Sequence, residues 1–190
     1  GDWSSDVCSS DLPAGTVQGL LRVEAPIGFA HRHVAPHLPA FVAEHPHLSV
    51  EMAHNDPPVD LVESGFDISI RVSPQTDHDN LVYTELASNS RRLIATPAYL
   101  ERHGIPKKPA DLIQHQLITH NASSSVNFWH FKQANGNTKT IRARGNIMIE
   151  GGDAILRAVL NDGGIAMLPS YMTSQHLRSG ADRKSTRLNS

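Results

Sequence analysis

The sequence predicts an α/β protein made of two successive lobes. Two strand–helix–strand units follow one another in the first half of the chain, and the second half repeats the same order. The 190 residues are 39% hydrophobic and 19% charged, which is enough apolar material for one large domain or two small lobes. This composition excludes a disordered chain.

Charge and hydropathy exclude two further classes of protein. The formal net charge of −2 lacks the basic excess of a stand-alone nucleic-acid-binding protein. No apolar run approaches the roughly 18 residues of a membrane span, so no bilayer crossing is expected.

The two ends of the chain are expected to be non-native. One codon choice for residues 2–12 has a reverse complement that translates as residues 182–190 letter for letter. We therefore interpret residues 1–12 and 182–190 as derived from a sequencing adapter and exclude them from fold reasoning. The single cysteine, Cys8, falls in the excluded part, so neither disulfides nor cysteine-bound metals are expected in residues 13–181.

The first half reads as a parallel α/β lobe. Strands are predicted where short apolar or alternating runs occur, and helices where apolar residues recur at helical spacing or follow a capping residue. The three predicted strands lie at 20–25, 48–54 and 66–72. An amphipathic helix follows the first strand, with its apolar stripe at Val34, Leu38, Phe41 and Val42. A short helix follows the second strand, capped by Asp56 and closed by Gly65. Pro36 and Pro39 suit only the first turns of the amphipathic helix.

The second half repeats this order after a polar loop at 73–80. Thr96 is predicted to cap a helix with Pro97 at its first position, and Gly104 to stop it. The other expected elements are strands at 81–86, 91–95, 116–120, 141–143, 146–150 and 165–168, an irregular stretch around Phe128, Trp129 and Phe131, and a helix at 154–161 capped by Asp153. The sequence predicts that the three aromatics belong to a lobe core and not to a base-stacking surface.

Seven motifs in register give the chain a family resemblance. The most specific is DLV at 60–62 followed by GFDISIR at 65–71. The others are GLLRV at 19–23, LPAF at 38–41 with HP at 45–46, ATPAYL at 95–100 with HG at 103–104, DL at 111–112, WHF at 129–131 and GGIAMLP at 163–169. Together they resemble the effector-binding (substrate-binding) domain of LysR-type bacterial transcriptional regulators.

The resemblance implies a fold and a function. It implies two Rossmann-like lobes with a cleft between them, in the manner of type 2 periplasmic binding proteins, divided here as lobe I at 13–90 (partial) and lobe II at 91–181. A small-molecule effector would bind in the cleft. The DNA-binding module, a winged helix-turn-helix, and the C-terminal return segment would be missing, and the full protein would be a cytoplasmic homodimer or tetramer that binds promoter DNA.

The effector contacts are expected where strands end and helices begin. Ligands of open α/β lobes bind beyond the carboxyl ends of strands, where the N–H groups and dipoles of helix N-termini favour anions. The candidates are Pro26, Ile27, Gly28, Phe29, His54, Ser73, Thr96, Pro97, His120, Asn121, Gly151 and Gly152. Asp56 and Asp153 disfavour an anion at their own helix starts, so Pro26–Phe29 and Thr96 are predicted to be the better anion sites. Each of these residues is alternatively a plain cap or turn.

Catalysis and metal binding find little support in the sequence. It contains no nucleophile elbow, phosphate-binding loop or dinucleotide-binding glycine motif, so no enzyme activity and no cofactor are expected. His33 and His37 at i, i+4 of the predicted helix have a spacing that can hold zinc, but no third ligand is in register. His54 and His120 remain candidates for ligand contacts that change charge near neutral pH.

Two other classes of protein remain open as alternatives. A periplasmic solute-binding protein would share the two-lobe clamp, and it would carry a secretory signal before Pro13. A small metal-dependent hydrolase built on the histidines would retain zinc. Neither accounts for the ordered series of motifs.

Overall fold

A computed structural model shows a mixed α/β protein. The structure describes residues 17–54, 64–72, 81–121, 127–133, 135–179 and 183–184, with side chains up to residue 174. These residues form two compact units. The first belongs to Gly1–Pro26 and Ala30–Arg71, and the second to Ile27–Phe29 and Val72–Ser190. The chain thus passes into the second unit at residue 72, and the lobe bounds at 90 and 91 stay a prediction.

The first unit is built on a parallel three-stranded sheet. Its strands are β1 (Gly19–Glu24), β2 (Leu48–Ala53) and β3 (Ile68–Ser69), in the spatial order β2-β1-β3. Glu24 lies opposite Ala53 on one side and Ser69 on the other, so the three strands end at one edge. This arrangement agrees with the parallel lobe predicted from the sequence, although the third strand is shorter than expected.

The helical connection between β1 and β2 differs from the single helix predicted. It consists of α1 (Ile27–Phe29), a π-helical turn (Ala30–Val34), a 3₁₀ turn (Ala35–His37) and α2 (Leu38–Glu44). Pro36 and Pro39 lack the N–H that an i→i−4 bond requires, and α2 accordingly begins with Pro39 in its first turn. The predicted apolar stripe is divided between the π-helical turn, which holds Val34, and α2, where Phe41 and Val42 are each 36% exposed.

The second unit contains most of the buried core. Its strands are β4 (Arg91–Ala95), β5 (Ile118–His120), β6 (Phe128–Lys132), β7 (Thr138–Arg142), β8 (Ile147–Ile149), β9 (Ala166–Pro169) and β10 (Arg183–Lys184). Its helices are α3 (Pro97–His103), a 3₁₀ helix (Pro109–Gln114), α4 (Gly152–Leu160) and α5 (Ser170–Ser179). None of the helices in the described part of the chain has the length and apolar character that a bilayer span requires.

Strands β4 and β9 separate two apolar clusters. One cluster holds Leu93 and Met167 with Tyr99, Trp129 and Phe131, and the other holds Ile94 and Leu168 with the inner face of α4. Successive side chains of a strand point to opposite faces, so one pair of strands contributes to both clusters. This is the layered packing of helices against a sheet that the sequence predicted.

Several predicted elements of the second unit need correction. Residues 81–86 form no strand, and the Val82 side chain is 99% exposed. The stretch around Phe128, Trp129 and Phe131 is not irregular but forms β6, whose partner β7 begins at Thr138. Helix α4 begins at Gly152 with Gly151 as its N-cap, so Asp153 lies inside the first turn instead of capping it. The helix predicted after Asp56 lies outside the described residues except at its end, where Gly65 has a φ of 70°.

The backbone of β10 pairs antiparallel with β4. These two residues fall within 182–190, the segment that we interpret as adapter-derived. The non-native origin of both ends rests on the nucleotide argument and stays a prediction.

A histidine–tyrosine cluster joins α3 to the 3₁₀ helix. The Tyr99 ring is buried and stacks on His103 with 4.5 Å between ring centroids, and its hydroxyl lies 3.4 Å from His115 Nδ1. Burial lowers the pKa of His115 below its ordinary value of 6.5, and the neighbouring His103 lowers it further, against the opposing effect of Asp111. The neutral imidazole is therefore favoured in the folded protein.

This cluster predicts a loss of stability as the pH falls. Between the folded and unfolded pKa values of His115, the unfolded chain binds the proton more readily, so the contribution of this residue is complete above about pH 6.5 and is lost below it. We expect the free energy of unfolding of His115→Gln to fall less between pH 7.5 and 5.5 than that of the parent protein, as measured by urea denaturation. Asp111 does not change its charge between pH 7.5 and 5.5, because its pKa is lowered from the ordinary value of 3.8. The exposed His37→Gln serves as control, and an unchanged pH dependence in His115→Gln would contradict the assignment.

Candidate functional site

Three strands of the second unit end at one edge. Strands β5 and β8 run parallel, with His120 opposite Ile149. Strand β9 is joined to β5 by a parallel bridge between Leu117 and Ile165. Because the carboxyl ends of parallel strands share an edge, the residues that follow β5, β8 and β9 lie on one side of the unit. We call this the carboxyl edge, and it is defined by His120, Asn121, Gly151, Gly152, Ser170 and Tyr171.

Hydrogen bonds connect two of the predicted residues at this edge. The Gly151 N–H donates to His120 Nε2 at 3.3 Å, and the Asn121 N–H donates to the Ile149 carbonyl at 3.0 Å. The Asn127 side chain binds both backbone polar groups of His120, at 3.0 and 2.9 Å. The two bonds from Asn127 fix the position of His120, the last residue of β5. Asn127 was not among the site residues predicted from the sequence.

The first turns of α4 and α5 complete the edge. Gly151 has a φ of 85°, a conformation that favours glycine, and it directs the chain from β8 into α4. At Gly152, a Cβ would lie 2.8 Å from Met172 Sδ, so the absence of a side chain allows α4 and α5 to approach closely. Phe29 packs edge-on against Tyr171, with 5.4 Å between ring centroids. Three groups of predicted residues therefore lie around the first turns of α4 and α5: His120 with Asn121, Gly151 with Gly152, and Phe29.

The first residue of β4 is Arg91, and it places a positive charge next to this edge. Arg91 lies opposite Pro169 in the antiparallel pair of β4 and β9, and its guanidinium donates to the Met167 carbonyl at 3.3 Å. Desolvation lowers the pKa of Arg91, but the guanidinium remains charged at neutral pH. Arg91 was not among the effector contacts expected from the sequence.

Thr96 and Pro97 lie at the opposite edge. Strand β4 runs antiparallel to β9, so its five residues place Thr96 roughly 16 Å from the carboxyl edge. The Thr96 hydroxyl accepts from the Tyr99 N–H at 3.2 Å and donates to the Asp162 carboxylate. Asp162 also pairs with Arg102 at 3.0 Å. A carboxylate of the protein thus already occupies the start of α3, and a ligand contact by Thr96 or Pro97 stays a prediction.

Two further candidates, Pro26 and His54, belong to the first unit. Pro26 follows β1, and His54 follows β2, where its ring contacts that of His31 with 5.2 Å between centroids. Glu24 is fully buried, and one of its carboxylate oxygens accepts from the Ser69 hydroxyl. Ser73 lies outside the described residues. Ligand contacts by Pro26, His54 and Ser73 stay predictions.

The histidine pair whose spacing could have held zinc does not have the α-helical geometry that this spacing assumed. His33 lies in the π-helical turn and His37 in the 3₁₀ turn, so the two are not one α-helical turn apart. Within the ranges that the structure describes, no group of three or more His, Cys, Asp or Glu side chains is placed to hold a metal.

Sequence reasoning missed three residues at or beside the carboxyl edge. Tyr171 follows β9, and the rule that selected the other strand ends applies to it equally, but no candidate was taken from the end of the strand predicted at 165–168. Arg91 required the antiparallel pairing of β4 to be known. Asn127 required the contact with His120, seven residues away, for which the sequence carries no signal.

Comparison with known families identifies the class of protein. A family model described as the LysR substrate binding domain matches residues 14–183. The chain belongs to this family, which confirms the α/β, periplasmic-binding-protein-like fold predicted from the sequence.

Relatives and solved structures agree with this assignment. An uncharacterized HTH-type transcriptional regulator of Haemophilus influenzae is 33% identical over 166 residues, which cover 87% of this chain and 57% of that protein. The regulatory domain of CrgA, a LysR-type transcriptional regulator from Neisseria meningitidis, superposes with a TM-score of 0.80 at 24% identity, over 92% of this chain and 84% of that one. The full-length Vibrio cholerae virulence activator AphB gives a TM-score of 0.77 at 26% identity, over 88% and 56%. This chain thus spans a little over half the length of its curated relatives.

The Thr96 cap predicts a structural cost that is separate from ligand binding. Thr96→Val keeps the side-chain volume but removes the bonds to Tyr99 and Asp162, so we expect a loss of about 1 kcal/mol in unfolding free energy and a fall of roughly 2–4 °C in the thermal midpoint. Scanning calorimetry measures both. Thr84→Val, at an exposed position outside the regular elements, should leave the midpoint unchanged, whereas equal midpoints for both variants would contradict the capping role.

Proposed function

We propose that this chain is the effector-sensing domain of a bacterial LysR-type transcriptional regulator and that a small anionic metabolite binds at the carboxyl edge of its second unit. The observation that carries the proposal is the meeting of three strand ends beside the N-terminus of α4 and next to Arg91. The family assignment supports the sensing role.

The chemistry of the edge favours an anion. The first-turn N–H groups of α4 lack intrahelical partners and lie at the positive end of the helix dipole. Arg91 adds a full positive charge near the end of β9. Asp153, in the first turn of α4, opposes this charge and restricts the number of negative charges that the site accepts. These groups fit a small ligand with one or two acidic groups.

The same proposal covers the rest of the protein's action. The domain acts by binding and not by catalysis, in the cytoplasm, because a transcriptional regulator works on chromosomal DNA. Promoter DNA is recognised by a winged helix-turn-helix in the part of the protein that precedes this domain, and the full protein is a homodimer or tetramer. The curated relatives are HTH-type transcriptional regulators, which supports this interpretation over a solute-binding protein or a hydrolase.

Effector binding controls transcription only if the two states of the protein bind the effector with different affinities. A ligand with equal affinity for both states shifts nothing, however tightly it binds. At the carboxyl edge, a ligand would contact residues from α4, α5 and the loop after β5. A change in the relative position of these elements would alter the ligand's contacts and so supply the difference in affinity.

The proposed site predicts a selective effect of Arg91. We expect phosphate, sulfate or succinate to raise the thermal midpoint of the parent chain in a concentration-dependent way, because a ligand that binds only the folded state stabilises it. Arg91→Gln should weaken the fitted affinity about tenfold, the equivalent of about 1.4 kcal/mol.

The neighbouring Arg92→Gln is the matched control, because it removes the same charge one residue along β4. The parent affinity should be retained in this variant. An equal loss in both variants would show a general charge effect, and no stabilisation by any of the three anions would contradict an anionic effector at this edge.

The genomic DNA upstream of Pro13 tests the assignment to a regulator. We expect an open reading frame that encodes a helix-turn-helix followed by a long linker helix, in frame with this domain. A secretory signal peptide in that place would overturn the proposal and identify an exported binding protein.

A further inference from the structure

Positive charge is concentrated in one stretch of the second unit. No aspartate or glutamate lies between Asp111 and Glu150, whereas Lys132, Lys139, Arg142 and Arg144 all fall between them. Because the whole chain has a formal net charge of −2, the remainder carries an excess of negative charge. The asymmetry indicates a surface with a partner of its own.

The β6–β7 hairpin presents two of these cations, Lys132 and Arg142, on an exposed face. Its register places Phe128 opposite Arg142, His130 opposite Thr140 and Lys132 opposite Thr138. Trp129 and Phe131 alternate with these residues and are buried in the core, so the other side of the hairpin faces outward. We call this outward side the hairpin face, defined by Phe128, His130, Lys132, Thr138, Thr140 and Arg142.

The cations of the hairpin face are not neutralised within the described structure. Ion pairs in the described ranges, such as Arg22–Glu51, Arg102–Asp162 and Lys108–Asp111, do not involve Lys132 or Arg142. His130 Nδ1 lies 2.8 Å from the Thr140 hydroxyl, which fixes a polar pair at the centre of the face. The face therefore combines positive charge with hydroxyl and imidazole groups.

We propose that the hairpin face binds the phosphate backbone of duplex DNA, independently of base sequence. Arginine, lysine and hydroxyl side chains are the groups that commonly contact phosphates. The face extends over four strand steps, about 13 Å, which matches roughly four base pairs at 3.4 Å each. A sequence-independent contact of this kind would increase the affinity of the regulator for DNA and help to fix its position along the duplex. The base-specific contacts would be made by another part of the protein.

The composition of the face favours duplex DNA over other polyanions. A specific protein partner needs an apolar centre, but Phe128, 37% exposed, is the single aromatic on this face. Single-stranded nucleic acid binds on successive aromatic platforms, and one ring offers only one such platform. The sequence prediction that Phe128 belongs to the core is thus wrong for this ring, whereas it is confirmed for Trp129 and Phe131.

The DNA partner rests on the proposed regulatory function, but its test is independent of effector binding. Fluorescence anisotropy of a short labelled duplex of random sequence is measured with the 190-residue chain from about 50 to 200 mM salt. We expect binding in the micromolar range or weaker at the lower salt, falling with salt concentration because counterions are released from the DNA. The double variant Lys132→Glu/Arg142→Glu should weaken binding at least tenfold and reduce the slope of log K against log salt by about two.

The control separates a local contact from the overall charge of the chain. Arg157→Glu/Lys107→Glu changes the net charge equally at exposed positions outside the hairpin, and it should retain most of the parent affinity. Thermal midpoints of all variants establish that they are folded.

Three outcomes would overturn the proposal: no duplex binding by the parent chain at low salt, equal losses in both double variants, or binding of poly-glutamate or single-stranded DNA as tight as that of the duplex. Loss of anion stabilisation in Arg91→Gln with duplex binding intact would confirm the effector site alone. The reverse result would confirm the hairpin face alone.

Discussion

The two pairings of strand β9 determine the architecture of the second unit. This strand is buried, and it runs parallel to β5 but antiparallel to β4. The first relation brings the carboxyl ends of β5, β8 and β9 to one edge, where α4 and α5 begin. The second relation sends the end of β4, with Thr96, to the opposite edge and leaves Arg91 on the first. The chemistry of each edge follows from these directions, because they decide which loops and helix ends become neighbours.

The two edges differ in which groups bond to the free N–H groups at the helix N-terminus. At the start of α3, the Thr96 hydroxyl caps the helix and binds Asp162, whose carboxylate also pairs with Arg102. The protein supplies both the cap and the anion there, as expected for a structural helix start. At the start of α4, the N-cap is Gly151, which has no side chain to accept from the first turn. That difference is why we propose the carboxyl edge for an exogenous anion, although the sequence favoured Thr96 because of Asp153 in the first turn of α4.

Elements set by local patterns were predictable, and those set by long-range pairing were not. The α3 cap at Thr96 and its stop at Gly104 follow from residue chemistry and were predicted, as were the parallel strands of the first unit. Strand β6 was missed because its alternation of Phe128, Trp129 and Phe131 gains meaning only opposite β7. The α2 stripe was overestimated because helical spacing shows which residues share a face but not what covers it. For the site, the strand-end rule selected His120, Asn121, Gly151 and Gly152, but it could not show that β4 runs the other way.

The carboxyl edge and the base of the hairpin are both hydrogen-bonded to one residue, Asn127. The Asn127 side chain binds the backbone N–H and C=O of His120. The backbone carbonyl of Asn127 accepts from the N–H of Ala143, just after β7. The first residue before β6 is therefore fixed to the last residue of β5 on one side and to the end of the hairpin on the other. A displacement of His120 would act directly on its two hydrogen bonds to the Asn127 side chain. Asn127 thus links the two surfaces by a continuous set of hydrogen bonds.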